Sequence, residues 1–299
     1  MCTDLGAANH YSIEHLRSDK IWAHAKAAEY FYVGGYHLTV SPEAALALGA
    51  EAAARNVPFV FGMGAPFIAY AFKEPLDNVW EYADYTFGNE TEATAWAEVH
   101  GLETKTTSAS DIKAIAKAMA LYAKKNEKRA RTCVITQGTE PTVVAVADGK
   151  GGVQIKEFPV HVIEKSEIVD TTGAGDAFAG GFLAGLVDGK PLDVCVDMGM
   201  WLAAKGLREL GPRFVAFRSL SRCVMCSVSS INSGFEMRKI QVSMPDSKGM
   251  SKHETADTTS SNNISLLFCN RQAYILAQAN NLLSYPFPKQ SYQPTSSSN

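Results

Sequence analysis

Short apolar runs alternate with segments of helical period through the first two-thirds of the chain, and that alternation limits the fold more than any other feature. "YFYVGG" from Tyr30, "VPFVFGM" from Val57 and "RTCVITQG" from Arg131 read as strands, each ending near a turn residue. "SPEAALALGAEAAARN" reads as a helix with Ser41 as N-cap, Pro42 at its first position and Glu43 in its first turn. "ADYTFGNETEATAWAEVH" takes a strand into a helix, with Asn89 as the expected cap. "SIEHLRSDKIWAHAKAA" from Ser12 and "ASDIKAIAKAMALYAKKN" from Ala109 carry helical spacing, and "TVVAVADGKGGVQIKEFPV" reads as a hairpin about Asp148–Gly152. Strands separated by helices must run parallel, because each crossover returns the chain to the same end of the sheet. The expected fold is a three-layer α/β/α domain with a mostly parallel sheet and a ligand site at the carboxyl ends of its strands.

Composition narrows the function classes. The net charge of −3 gives no basic surplus for nucleic acid or an anionic membrane. The longest apolar stretch, from Val57 to Phe72, is interrupted by Gly and Pro and falls short of a membrane span. The first residues lack a basic and then apolar pattern, so no signal peptide is expected. Six cysteines in 299 residues make no disulfide framework and imply a reducing compartment.

The chemistry concentrates in "VDTTGAGDAFAGGF", Val169–Phe182. Ile168 and Val169 suggest a strand, and "AFAGGFLAGLV" suits a packed helix, so Gly173, Ala174 and Gly175 should sit at a strand-to-helix junction. The first-turn N–H groups of a helix have no intrahelical partner and carry the positive end of its dipole, which suits an anion. Asp176 is out of place beside a phosphate unless it takes a proton from an attacking hydroxyl. The competing reading is a glycine-softened helix entry in which Asp176 only complements the dipole. No Lys-Ser or Lys-Thr follows the glycines, which excludes a Walker A loop.

"DTTGAGDAFAGGF" closely resembles the signature of the ribokinase-like carbohydrate and nucleoside kinases, the PfkB family. "LTVSPE" (Leu38–Glu43), "APF" (Ala65–Phe67) and "FGNETEA" (Phe87–Ala93), with "LGAANHY" and "VITQG", are similar to the adenosine kinase branch of that family. The resemblance implies transfer of the γ-phosphoryl of ATP to the 5′-hydroxyl of adenosine, in purine salvage, with Mg²⁺. It implies Asp176 as the base and Gly173, Ala174 and Gly175 as the anion hole. Asn89 and Glu92 match an N-x-x-E motif that handles magnesium and phosphate through water; without the resemblance they read as a cap and a solvated acid. Thr136, Gln137, Gly138 and Thr172 fall where ATP is held, and Tyr36 where an aromatic side chain stacks on the adenosine base. The alternatives are a catalytically inactive remnant that at most binds nucleotide, and a related sugar kinase. A monomer is expected, without nucleic-acid or membrane partners, in the cytosol with the nucleus as second compartment.

The resemblance also divides the chain. Residues 1–212 look like the later part of the family domain, without the N-terminal section that carries the first strands, most of the lid and part of the ribose site. Residues 213–283 are rich in Ser and Asn and keep no sustained period. "KGLRELGP", ending at Pro212, would join naturally to the family-like tail 284–299, so the intervening segment reads as disordered or as a translated intron. Its Cys223 and Cys226, with His253 and Cys269, are too few and too scattered to favour a zinc site.

Overall fold

The computed structural model describes residues 6–102 and 109–211, together with the backbone of 266–268. Cys223, Cys226, His253, Cys269 and the 284–299 tail lie outside the described residues, as does all of 213–283 except those three positions.

Two short helices, α1 (Ile13–Arg17) and α2 (Asp19–Ala27), precede strand β1 (Tyr30–Gly34). Then α3 (Pro42–Arg55) leads to β2 (Phe59–Gly62), and α4 (Pro66–Ala71) with α5 (Lys73–Trp80) leads to β3 (Tyr85–Asn89). The next crossover comprises α6 (Glu90–Val99) and α7 (Ala109–Leu121) and ends at β4 (Thr132–Gln137). The hairpin of β5 (Glu140–Ala147) and β6 (Val153–Phe158) is followed by α8 (Ala174–Val187) and α9 (Leu192–Gly206); β7 (Leu266–Phe268) closes the list. The sheet order is β6-β5-β4-β3-β2-β1-β7, parallel from β7 to β4 and antiparallel through β5 and β6.

Both faces of the parallel strands are covered, which is why they read as unbroken apolar runs rather than alternating ones. Phe31, Val33, Phe59, Phe61 and Ile135 pack beneath α3, α5, α6 and α7. Tyr32, Val60, Phe87 and Val134 face the other way, onto Phe178, Phe182 and Val196 of α8 and α9. The two helices of this second layer touch at backbone distance, because a β-carbon on Gly181 would lie 2.4 Å from the carbonyl oxygen of Met198. The three layers expected from the alternation are therefore present. Among the described residues no helix is long and apolar enough to cross a membrane.

At the amino end of the strands, Arg131 is buried and its guanidinium donates to five backbone carbonyls. Trp80 and Ala83 oxygens accept at 2.7 and 3.0 Å, and those of Met119, Tyr122 and Ala123 at 3.3, 2.5 and 2.9 Å. One cation thereby satisfies the orphan carbonyls where α5 and α7 end. Beside it, Asp84 accepts from the Phe59 N–H at 2.9 Å and from Lys124 Nζ at 2.6 Å.

Three local expectations are corrected. The segment from Ser12 is two helices, interrupted at Ser18 (φ −57°, ψ 141°), whose hydroxyl donates to the His15 carbonyl at 2.7 Å. Ser41 stands at the N-cap position, but its hydroxyl donates to Glu43 Oε1 at 2.6 Å instead of accepting a helix N–H. Ile168 and Val169 form no strand. They lie half-exposed beyond a single 3-10 turn (Lys165–Glu167), and the Val169 N–H donates to Leu207 O at 2.8 Å, which ties this lead-in to the end of α9.

Replacing Arg131 with Met should lower stability by about 3 kcal/mol or more, since several buried carbonyls lose their donor at once. Urea denaturation would report this as a lower midpoint at unchanged slope; a loss under about 1 kcal/mol would mean water replaces the guanidinium.

Candidate active site

The carboxyl edge of the parallel sheet collects the functional side chains from four strand ends. β3 stops at Asn89, which becomes the N-cap of α6. The Asn89 side chain accepts the Glu92 N–H at 2.8 Å, and Glu92 Oε2 accepts the Asn89 N–H at 3.0 Å, a reciprocal capping box. Asn89 Nδ2 also donates to Glu92 Oε1 at 3.2 Å, so both carboxylate oxygens of Glu92 are engaged. Glu92 is 8% exposed, and this burial pushes its carboxyl up to about 7. The Asn89 N–H works against that rise, and the charge of Asp176 adds to it. The N-x-x-E motif and the glycine stretch, 84 residues apart between Glu92 and Asp176, thus meet electrostatically.

Asp176 sits in the first turn of α8. Gly173 is the N-cap residue at φ 82°, a left-handed conformation that favours glycine, and its carbonyl accepts the Ala177 N–H at 2.8 Å. A β-carbon on Gly175 would meet nothing within 4 Å, so the space over this first turn is open to a ligand. Asp170, which sequence reasoning passed over, braces the loop. Its carboxylate accepts the Thr172 N–H at 2.9 Å and the Gly211 N–H at 3.0 Å, and those bonds, Thr172 first, hold it below the usual aspartate range. It is the first residue of the "DTTGAGD" signature, so a signal for it was available. Thr172 takes its place through this backbone bond. The glycines lie at a loop-to-helix junction rather than after a strand, because the residues before them are held by α9.

At the end of β4, Thr136 lies opposite Asn89 in register, and its hydroxyl donates to Gly88 O at 3.5 Å. Gln137 donates through its side chain to Pro141 O within its own hairpin, and Gly138 turns the chain at φ 60°. At the ends of β1 and β2, Tyr36 and Phe67 meet edge to face, 5.6 Å apart at 71°. They are 40% and 42% exposed, unusual for large rings beside a well-packed core. Phe67 belongs to the quoted "APF" stretch but drew no role from the sequence.

Sequence reading also missed a cavity of about 380 Å³ lined by residues 161–163 and 167 and by Trp201, Ala204, Lys205 and Arg208 of the α9 region. Lys205 Nζ lies 5.5 Å from the centre of the Trp201 ring, and His161 Nε2 contacts Asp197 Oδ1 at 2.8 Å. Neither segment has a local pattern that points to the other. Among the described residues, no three His, Cys, Asp or Glu side chains form a cluster able to hold a metal by themselves.

Residues 1–216 match the pfkB family carbohydrate kinase. Over 211 residues the chain is 42% identical to the adenosine kinase of Schizosaccharomyces pombe, a match covering 71% of this chain and 59% of that protein. Over 214 residues it is 44% identical to the adenosine kinase of Saccharomyces cerevisiae, covering 72% and 59%. Among solved structures, Anopheles gambiae adenosine kinase in complex with P1,P4-di(adenosine-5) tetraphosphate has a TM-score of 0.64 at 41% identity, covering 71% of this chain and 62% of that one. Adenosine kinase from Schistosoma mansoni in complex with 2-fluoroadenosine has a TM-score of 0.65 at 31% identity, covering 70% and 59%. The chain spans about three-fifths of the length of the curated relatives it matches.

The burial of Glu92 makes stability pH-dependent. Its carboxyl, near 4.5 in the unfolded chain and about 7 in the folded one, binds its proton more tightly when folded. Stability should therefore fall as pH rises from about 4.5 to 7 and level off above, and Glu92→Gln should flatten that slope. Denaturant midpoints measured across this window check it; equal slopes in both proteins would contradict the buried acid.

Proposed function

Since the chain belongs to the pfkB family of carbohydrate kinases, we propose that its carboxyl-edge site transfers the γ-phosphoryl group of ATP to the 5′-hydroxyl of adenosine, giving ADP and AMP. The observation that carries the reading is Asp176 in the first turn of α8, where Gly173 opens the helix in a left-handed conformation and Gly175 faces open space. The adenosine kinases to which the chain is similar support adenosine as the acceptor.

Asp176 takes the proton of the 5′-hydroxyl as the oxygen attacks phosphorus in line. The new bond joins the 5′-oxygen to the γ-phosphorus, the bond from that phosphorus to the β–γ bridging oxygen breaks, and ADP leaves with the electron pair. Charge gathering on the equatorial oxygens is met by the N–H groups of Gly173 and Gly175, while the Ala174 N–H, which donates to Thr171 O at 3.2 Å, holds the turn that presents them. Tyr36 and Phe67 form an apolar wall for the nucleoside base. Thr136, Gln137, Gly138 and Thr172 border the phosphates, and the cavity between residues 161–167 and α9 receives the base of ATP, because the Val169–Leu207 bond joins its two walls beside the glycines.

The donor chemistry of the edge fits Mg²⁺ held through water. Both oxygens of Glu92 already accept from Asn89, which suits an outer-sphere contact better than direct ligation. When bound with ATP, the ion supplies charge neutralisation at the β- and γ-phosphates; Asn89 and Glu92 would orient its waters.

Asp176→Asn should lower AMP formation from adenosine and Mg-ATP by about 10²–10⁴-fold, the range for loss of a positioned base. ATP affinity should stay within about threefold, since a base contributes to the transition state rather than to ground-state binding. Chromatographic quantification of AMP checks this; an Asn variant that turns over like the native chain would remove Asp176 from the chemistry.

A further inference from the structure

The loops that follow β1 and β2 touch through two glycines. A β-carbon on Gly35 would lie 1.9 Å from the Met63 carbonyl oxygen, so the two backbones pass in direct contact. Gly64 has φ 82°, and a β-carbon there would stand 3.1 Å from Cδ2 and 3.5 Å from Cε2 of Tyr36. The Tyr36 ring therefore rests on the bare α-carbon of Gly64, with Phe67 against it edge to face at 5.6 Å. With 40% of its surface exposed, Tyr36 is supported from below and from one side while part of it remains open.

We propose that Gly64 is a positioning residue, holding the Tyr36 ring where it stacks on the base of the bound nucleoside; the inference rests on the nucleoside-kinase reading above. A larger residue at position 64 meets two strains, a left-handed backbone at φ 82° and contact with the ring. In a closed core, an added methyl must displace packed neighbours. Here the group it meets is a half-exposed ring at the surface, which can swing toward solvent. A methyl at position 64 therefore strains the backbone at φ 82° and presses on Tyr36, and both effects fall in the loop after β2. Phe67 limits the motion on one side only, and the ring loses the orientation in which its face lies against a planar ligand. The ATP half of the site, at α8 and α9, shares no side chain with this contact.

The test uses the full chain and reads binding and ring position separately. For Gly64→Ala, the dissociation constant for radiolabelled adenosine should rise about tenfold, the equivalent of one lost aromatic contact. ATP binding should change by no more than about twofold, because the ring does not reach that half of the site. In a Tyr36→Leu background, Gly64→Ala should add no further loss, since the contact through which it acts is gone. An equal loss in both backgrounds, or a parallel loss for adenosine and ATP, would overturn the proposal. Ring position is read by fluorine NMR of protein carrying 3-fluorotyrosine, with the Tyr36 resonance assigned through Tyr36→Phe. That resonance should shift or broaden in Gly64→Ala, and an unchanged resonance would overturn the proposal without any ligand. Native protein that does not bind adenosine, with the resonance still displaced in Gly64→Ala, would sink the nucleoside reading and leave the hold of Gly64 on the ring standing.

Discussion

Parallel pairing is the constraint on which the rest of the molecule depends. A strand joined to a parallel neighbour must return through a crossover, so the carboxyl ends of β1, β2, β3 and β4 fall on one edge. That edge receives Tyr36, Phe67, Asn89 and Thr136 from segments scattered along the chain. The opposite edge carries the structural polar groups, with Arg131 gathering helix-end carbonyls and Asp84 taking Lys124 and the Phe59 N–H. Stability and chemistry are thus separated by the length of a strand.

Two helix starts are aimed at the same edge, and they solve the problem of their orphan N–H groups differently. α6 satisfies its own through Asn89 and Glu92, which draws an acid into a buried position. α8 begins at a glycine without a capping side chain, and the Ala174 N–H turns back to Thr171 O while that of Gly175 is left to an anion. Asp176 stands between the two solutions. Its charge adds to the burial that raises the proton affinity of Glu92.

Much of this was legible where the deciding interaction is local. Asn89 was legible as the cap of α6, but Glu92, a solvated acid by spacing alone, is buried because its side chain turns back to the Asn89 N–H. The hairpin about Asp148–Gly152 was legible because Asp148 accepts from the N–H groups of Lys150 and Gly152. Ser41 holds the N-cap position as its place before Pro42 suggests, but without a side-chain bond to the helix, its hydroxyl donating to Glu43. Ile168 and Val169 failed as a strand because the Ile168 N–H is taken by Lys165 O in the 3-10 turn and the Val169 N–H by the distant Leu207 O. Of the site, the glycines and Asp176 carried a recognisable signature. The contact of Tyr36 with Gly64 and the cavity against α9 depend on which loops meet in space, and no periodicity in one segment encodes the other.

The central claim is that this edge passes a phosphoryl group to the 5′-hydroxyl of adenosine. Phosphorus NMR of the chain with Mg-ATP and a mixture of adenosine, ribose and fructose tests it most directly, because every product is seen in one sample. The account predicts AMP and ADP appearing in equal amounts, with the sugars untouched. A sugar phosphate in place of AMP, or ADP and inorganic phosphate without any AMP, would contradict it.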